Sequence, residues 1–376
     1  MFDPFRRARA NAVRKVRRAT VSSMTDAWGA IFAPAKPVKR KVGKKAKSAA
    51  KSAKTIGVMR KTASQRSTDS KSKTPATSHS KAGIPRGAAF EKGTHESAFG
   101  TRSYKLYVPA GAKTAPDPLP LIVMLHGCGQ SPDDFARGTG MNTLAEEFGF
   151  LVLYPAQSRK VQINRCWNWF RRDDQARGTG EPALIASLAR HAIAERNVDP
   201  AKVYVAGLSA GAAAALILAA AYPDIFAAVG AHSGLAAGAA HDAASAARAM
   251  QTGATGDRHS VQMPTIIFHG DADKVVNLRN GRFIAIRALE PYTHLDQAEK
   301  AGHITGGREF TRTVHRVGKG RTYIEQWVVH GSGHAWSGGH AAGSYTDPAG
   351  PDASREMVRF FLSHRTTKKR RTSSLS

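Results

Sequence analysis

The chain has 376 residues, enough for one large α/β domain or two smaller ones. Its net charge of +28 sits mostly in residues 1–90, which hold 23 Lys/Arg against 3 Asp/Glu, so the charge describes a tail and not the body. Two cysteines exclude a disulfide scaffold or a cysteine zinc site, and no uncharged apolar run is long enough for a membrane helix.

Residues 1–34 read as a basic arm with scattered apolar residues such as Phe2, Phe5, Val13, Val16 and Trp28. Such an arm is either solvated and partly helical or lies on an anionic surface. Residues 35–88 are rich in Lys, Ser, Ala, Thr and Pro and hold no Phe, Tyr or Trp. They cannot bury enough apolar surface to offset ordering entropy, and disorder is expected. No aromatic interleaving or nucleic-acid motif accompanies the lysines, so specific nucleic-acid recognition is not expected. The arginines run through Arg18 with no apolar core behind them, so no secretory signal is recognisable.

From about residue 100 the pattern becomes that of a packed domain. Strands are predicted over 104–108, 119–125 and 150–154, with a helix over 132–148 between the second and third. A long polar loop carrying Cys166, Trp167 and Trp169 leads to a helix over 182–195. Strands over 202–206 and 225–232 flank a helix over 210–221, and small residues follow to about 256. A strand over 264–269, a helix over 278–289, strands over 310–317 and 323–329, and a closing helix over 352–363 complete the body. Strands alternating with helices predict a mostly parallel sheet covered on both faces.

Within that order, Gly207-Leu208-Ser209-Ala210-Gly211 joins a buried strand to an alanine-rich helix. This is the strand–turn–helix setting in which a G-x-S-x-G match presents a nucleophilic serine, with glycines allowing a tight turn. The Ala210 amide, at the helix start, is placed to face a developing oxyanion. A serine needs a base and the base an orienting carboxylate. Asp273 follows the next buried strand and His334 sits in a Gly-rich loop after the last, giving the order Ser, Asp, His of the α/β-hydrolase fold. Asp271 competes for the acid role and His330 for the base. His126-Gly127-Cys128-Gly129 follows an early strand, where the second oxyanion amide is expected from Cys128, with Gly127 as the alternative. Trp167, Trp169 and Trp336 are candidates for a substrate pocket or equally for core. No metal or cofactor is implied. The chain divides into a basic region over 1–90, a catalytic domain over 91–364 and a basic tail over 365–376.

These motifs, with Gly180-Glu181-Pro182, His232-Ser233-Gly234 and His334-Ala335-Trp336-Ser337-Gly338-Gly339, occur in an order that resembles the short-chain polyhydroxyalkanoate (poly-3-hydroxybutyrate) depolymerase family, close to feruloyl and acetylxylan esterases. The resemblance covers about residues 100–363. It implies Ser209, Asp273 and His334 as the triad, His126 as an oxyanion-hole histidine, and a pairing of Cys128 with Cys166. It also implies an ester substrate and an extracellular or periplasmic location, with the cytoplasm as the alternative. Ser337 stands where the family commonly has proline. The expected function is serine-dependent hydrolysis of 3-hydroxyalkanoate esters, with a feruloyl or acetylxylan esterase as the in-class alternative. A catalytically silent hydrolase fold used for binding is the alternative outside the class.

Overall fold

A computed structural model describes residues 84–256, 263–316, 320–368 and 371. The expected basic arm, nearly all of the low-complexity segment and most of the C-terminal tail lie outside them. A single ten-stranded sheet runs through the described domain. Its strands are β1 (Ala89–Ser97), β2 (Gly100–Val108), β3 (Leu119–Leu125), β4 (Leu151–Pro155), β5 (Val198–Leu208), β6 (Ala228–His232), β7 (Thr265–Gly270), β8 (Asp296–His303), β9 (Glu309–Arg316) and β10 (Thr322–Val329). Their spatial order is β1-β2-β4-β3-β5-β6-β7-β10-β9-β8. The six central strands are mutually parallel, and an antiparallel pair extends the sheet at each end.

The central strands are apolar at nearly every position because both faces are covered. Leu121, Val123 and Leu125 of β3 pack on one side with Val203 and Val205 of β5, under α3 (Gly180–Glu195) and α4 (Ala210–Ala221). Ile122 and Met124 point to the other side with Tyr204 and Ala206, under α1 (Pro132–Thr139), α2 (Met141–Phe148) and α7 (Ala353–Leu362). That alternation is the two-residue period of a strand.

Four elements depart from the sequence reading. The helix expected over 132–148 is two helices, broken where Gly140 takes φ 63° and ends the first. The small-residue stretch before residue 256 contains α5 (Ala243–Thr252), started by an Asp242/Ser245 capping box. β1 and β8 were not expected, since neither is rich in apolar residues; both are edge strands held by pairing with a stronger neighbour. β1 starts at Ala89, inside the stretch assigned to the low-complexity region. α6 (Arg279–Leu289) covers β7 and β10 on one face. A short parallel pair, β11 (Trp336–Ser337) and β12 (Thr346–Asp347), stands apart from the main sheet.

Candidate active site

Ser209 lies between β5 and α4 with φ 58° and ψ −120°, a backbone conformation that non-glycine residues rarely adopt. Its amide donates to the His232 carbonyl at 2.9 Å, and its own carbonyl accepts from Ala213 at 3.0 Å, which holds the turn from both sides. A Cβ on Gly207 would stand 2.4 Å from the Gly211 carbonyl carbon. One on Gly211 would stand 2.1 Å from the Leu125 carbonyl oxygen and 2.6 Å from that of His126. The two glycines are therefore required by close backbone approach, and the elbow is seated directly on the end of β3.

Asp273 follows β7 and His334 follows β10, so with Ser209 all three sit at the carboxyl ends of parallel strands, where ligands bind in open α/β sheets. His334 Nδ1 lies 2.8 Å from Asp273 Oδ2. An ionised carboxylate only accepts, so Nδ1 carries the proton and Nε2 is left with the lone pair. Asp273 Oδ1 accepts from the Val275 and Val276 amides, each at 2.9 Å. Burial alone pushes the Asp273 carboxyl up, but the His334 hydrogen bond and charge, with the nearby His269 and the Val276 amide, bring it below the usual carboxylate range. The competing acid and base are also brought together, with each other. His330 Nδ1 meets Asp271 Oδ2 at 2.8 Å, and Asp271 Oδ1 accepts from the Gly331 amide at 2.7 Å.

The loop after β3 is built around His126, which is buried. Its Nε2 accepts from the Gln157 amide at 3.1 Å, so Nδ1 is protonated and donates to the Gly127 carbonyl at 2.8 Å. Gly127 N–H donates to Gln130 Oε1 at 2.9 Å and is thereby occupied. The Cys128 N–H is engaged by no acceptor among the described residues, nor is that of Ala210. In a trans peptide the N–H points opposite the C=O. Pinning the Gly127 carbonyl to His126 therefore turns the Cys128 amide away from it. Cys128 is bonded to Cys166, with 4.3 Å between the Cα atoms, and Gly129 N donates to Asn164 O at 2.7 Å. The loop is thus tied to the Trp167 segment by covalent and hydrogen bonds.

The three candidate pocket tryptophans, Trp167, Trp169 and Trp336, are all inside the molecule. Trp167 donates from Nε1 to the His126 carbonyl at 2.9 Å, and Trp336 donates to Ser354 Oγ at 3.0 Å and stacks on His232. Trp169 is 3 % exposed and packs against Phe170.

Sequence reasoning assigned no role to His232, His269, Gln157, Glu181 or Arg102. His232 joins two parts of the site: its carbonyl holds the Ser209 amide, and its Nε2 accepts from Ser337 N at 2.9 Å in the loop of His334. His269 Nε2 donates to the Val276 carbonyl at 2.8 Å and lies 3.5 Å from Asp273 Oδ2. Glu181 accepts from the Asn168 amide at 2.7 Å and from Gln157 and Arg102, which buttresses the residue whose amide sets the His126 tautomer. His232 was visible as part of a motif. Gln157 carries no local signal at all.

Burial pushes His126 down to about 4 and His232 down to about 3. In the unfolded chain both titrate near 6.5, so as pH falls the unfolded state takes up protons first. Stability from these groups is complete above about pH 6.5 and declines below it by about 1.4 kcal/mol per pH unit for each histidine, until the folded pKa is reached. Urea denaturation at pH 7.0, 5.5 and 4.5 is expected to show that decline. A flat profile over the range would mean that these rings accept protons without cost to the fold.

A parallel-centred sheet, a strained serine elbow and a carboxylate–imidazole pair at neighbouring strand ends define an α/β-hydrolase of the esterase kind. Residues 102–309 match the family described as Esterase PHB depolymerase, and the chain belongs to that family. It is 32% identical over 259 residues to the poly(3-hydroxyalkanoate) depolymerase C of Paucimonas lemoignei, across 64% of this chain and 61% of that protein. It is 30% identical over 279 residues to the feruloyl esterase B of Neurospora crassa, across 68% of this chain and 86% of that one. The chain thus spans less than two thirds of the depolymerase. The acetyl xylan esterase structure from Aspergillus awamori shares the fold, with a TM-score of 0.54 and 20% identity over 73% of this chain and 99% of that one.

Proposed function

We propose that the protein hydrolyses carboxylic esters in two steps, with Ser209 as nucleophile, His334 as general base and acid, and Asp273 as the group that holds the imidazole tautomer. The observation that carries this reading is the Asp273–His334 hydrogen bond at the strand ends beside the Ser209 elbow. His334 Nε2 takes the Ser209 proton as Oγ attacks the ester carbonyl. The Cys128 and Ala210 amides, supported by His126 and Gly127, stabilise the tetrahedral oxyanion. The alcohol leaves with the proton from His334, and water, activated by the same nitrogen, releases the acid. Trp167, Trp169 and Trp336 shape the pocket from behind its lining, because their indoles are buried and two of them are bonded to the protein.

For substrate we infer short-chain 3-hydroxyalkanoate esters or oligomers, in line with the family and with the depolymerase relative. A feruloyl or acetylxylan ester is the second reading, favoured by the longer coverage of the feruloyl esterase. We further propose that residues 1–90 contact anionic surfaces by charge and that residues 1–83 are dispensable for turnover. The catalytic domain works in an oxidising compartment, outside the cell or in the periplasm, since its oxyanion loop depends on a disulfide. Among the described residues no helix is long and apolar enough to cross a membrane.

The test is one turnover panel of 3-hydroxybutyrate oligomers, feruloyl esters and p-nitrophenyl butyrate, run on the full chain and on a chain lacking residues 1–83, which spares β1. A fluorophosphonate probe is run in parallel. Stoichiometric labelling at Ser209 with hydroxybutyrate oligomers as the best substrates is expected, with equal turnover by both chains. Feruloyl esters as the best substrates would move the substrate assignment, and failure to label Ser209 would favour a silent binding protein.

A further inference from the structure

A cleft of about 410 Å³ lies where the sheet runs on past α6. Its floor is one face of the antiparallel extension, with Gln297, Thr313, His315, Gln326 and His330 at alternate positions of β8, β9 and the end of β10. Its wall is aliphatic: Ala285, Ile286 and Leu289 of α6 face it, and Ile286 is 50% exposed. From Gln326 to His330 the floor runs about 13 Å along β10. It ends at the carboxyl edge of the sheet, four residues before His334.

The floor is rich in hydrogen-bonding groups that the protein does not use. His315 is 8% exposed and its ring has no hydrogen-bond partner among the described residues; nor do the side chains of Gln297, Gln326 and Arg282. Groups facing an open cleft in this way are free to bond whatever enters it. His330 is engaged, donating from Nδ1 to Asp271 and accepting from Thr311 Oγ1 at 3.0 Å.

The chemistry of the walls selects the occupant. Arg282 and Glu299 both line the cleft, so its two fixed charges offset each other and select neither an anion nor a cation. No Phe, Tyr or Trp lines it, so it lacks the large apolar stacking surface that suits a feruloyl group or a sugar ring. An aliphatic polyester fits both surfaces: each repeat offers a carbonyl that only accepts hydrogen bonds and an alkyl branch that packs on Ile286 and Leu289. We propose that the cleft is a second binding site, holding the distal units of an aliphatic hydroxyacid oligoester whose scissile bond lies at Ser209. This rests on the hydroxyalkanoate reading of the candidate active site.

The test uses the full chain with Gln297→Leu and Gln326→Leu combined, and separately Ile286→Glu on the exposed helix wall. With a 3-hydroxybutyrate hexamer, each is expected to raise KM roughly five- to tenfold at unchanged kcat. A hydroxybutyrate dimer, too short to reach the cleft, and p-nitrophenyl butyrate should show unaltered kinetics, which also reports an intact fold. An unchanged hexamer KM in both variants would overturn the second site and leave the substrate reading standing. A wild-type protein that turns over p-nitrophenyl butyrate but no hydroxybutyrate oligomer would overturn both.

Discussion

Ser209→Ala and His334→Ala are each expected to lower ester turnover by about three orders of magnitude or more, and the double variant to be no worse than either. The non-additivity follows from the mechanism: without its base the serine hydroxyl is a weak nucleophile, and without the serine the base has nothing to activate. Asp273→Asn should be severe as well. An amide can present its NH₂ to Nδ1, which then becomes the acceptor and leaves Nε2 protonated and useless as a base. The structure supplies the internal control. Asp271→Asn perturbs a carboxylate–imidazole pair of the same 2.8 Å length, but one built on His330. Its effect on turnover is expected to stay within about threefold. Steady-state kinetics on purified, folded variants decide the matter, and a ranking with Asp271→Asn worse than Asp273→Asn would move the acid role.

How far the sequence could anticipate this site depended on whether each residue announces itself locally. Ser209 does, because a glycine pair flanking a serine between an apolar strand and an alanine helix constrains the backbone whatever surrounds it. Asp273 and His334 were preferred over Asp271 and His330 from chain order and distance from the strand end, and the structure pairs each carboxylate with its own imidazole at 2.8 Å. The sequence favoured Cys128 over Gly127 as oxyanion donor without a local reason to exclude the second. What supports that preference is Gln130 occupying the Gly127 amide, a contact that exists only once the loop has folded back on itself. Gln157 acts through its main chain, so its side-chain identity carries no trace of the role.

The fold shows the same division. Parallel central strands were readable as apolar runs because burial on both faces demands it. β1 and β8 were not, since an edge strand is specified by its partner's register more than by its own composition. Burial of the three tryptophans was equally hidden. Aromatic residues beside catalytic motifs look alike in sequence whether they line a pocket or brace it, and only the indole bonds of Trp167 and Trp336 separate the cases.

Replacing Cys128 and Cys166 together by serine is expected to cost about 4 kcal/mol of stability, the chain-entropy value for a closure of 38 residues. The effect should not stop at stability, because the bond begins at the residue whose amide we propose as an oxyanion donor. Three hydrogen bonds remain after its removal: Gly129 N to Asn164 O at 2.7 Å, Trp167 Nε1 to the His126 carbonyl at 2.9 Å and Arg165 Nη1 to the Gln130 carbonyl at 3.4 Å. They keep the loop folded but allow the Gly127–Cys128 peptide to rock. A loosened oxyanion donor weakens the transition state more than substrate binding, so kcat should fall by about tenfold while KM changes little. Urea denaturation and steady-state kinetics on the double variant, beside wild type kept oxidised, separate the two contributions. A stability loss below about 1 kcal/mol would show that the unfolded chain is not held by this link. An unchanged kcat would place the oxyanion amide elsewhere, with the Cys128 N–H free for another purpose.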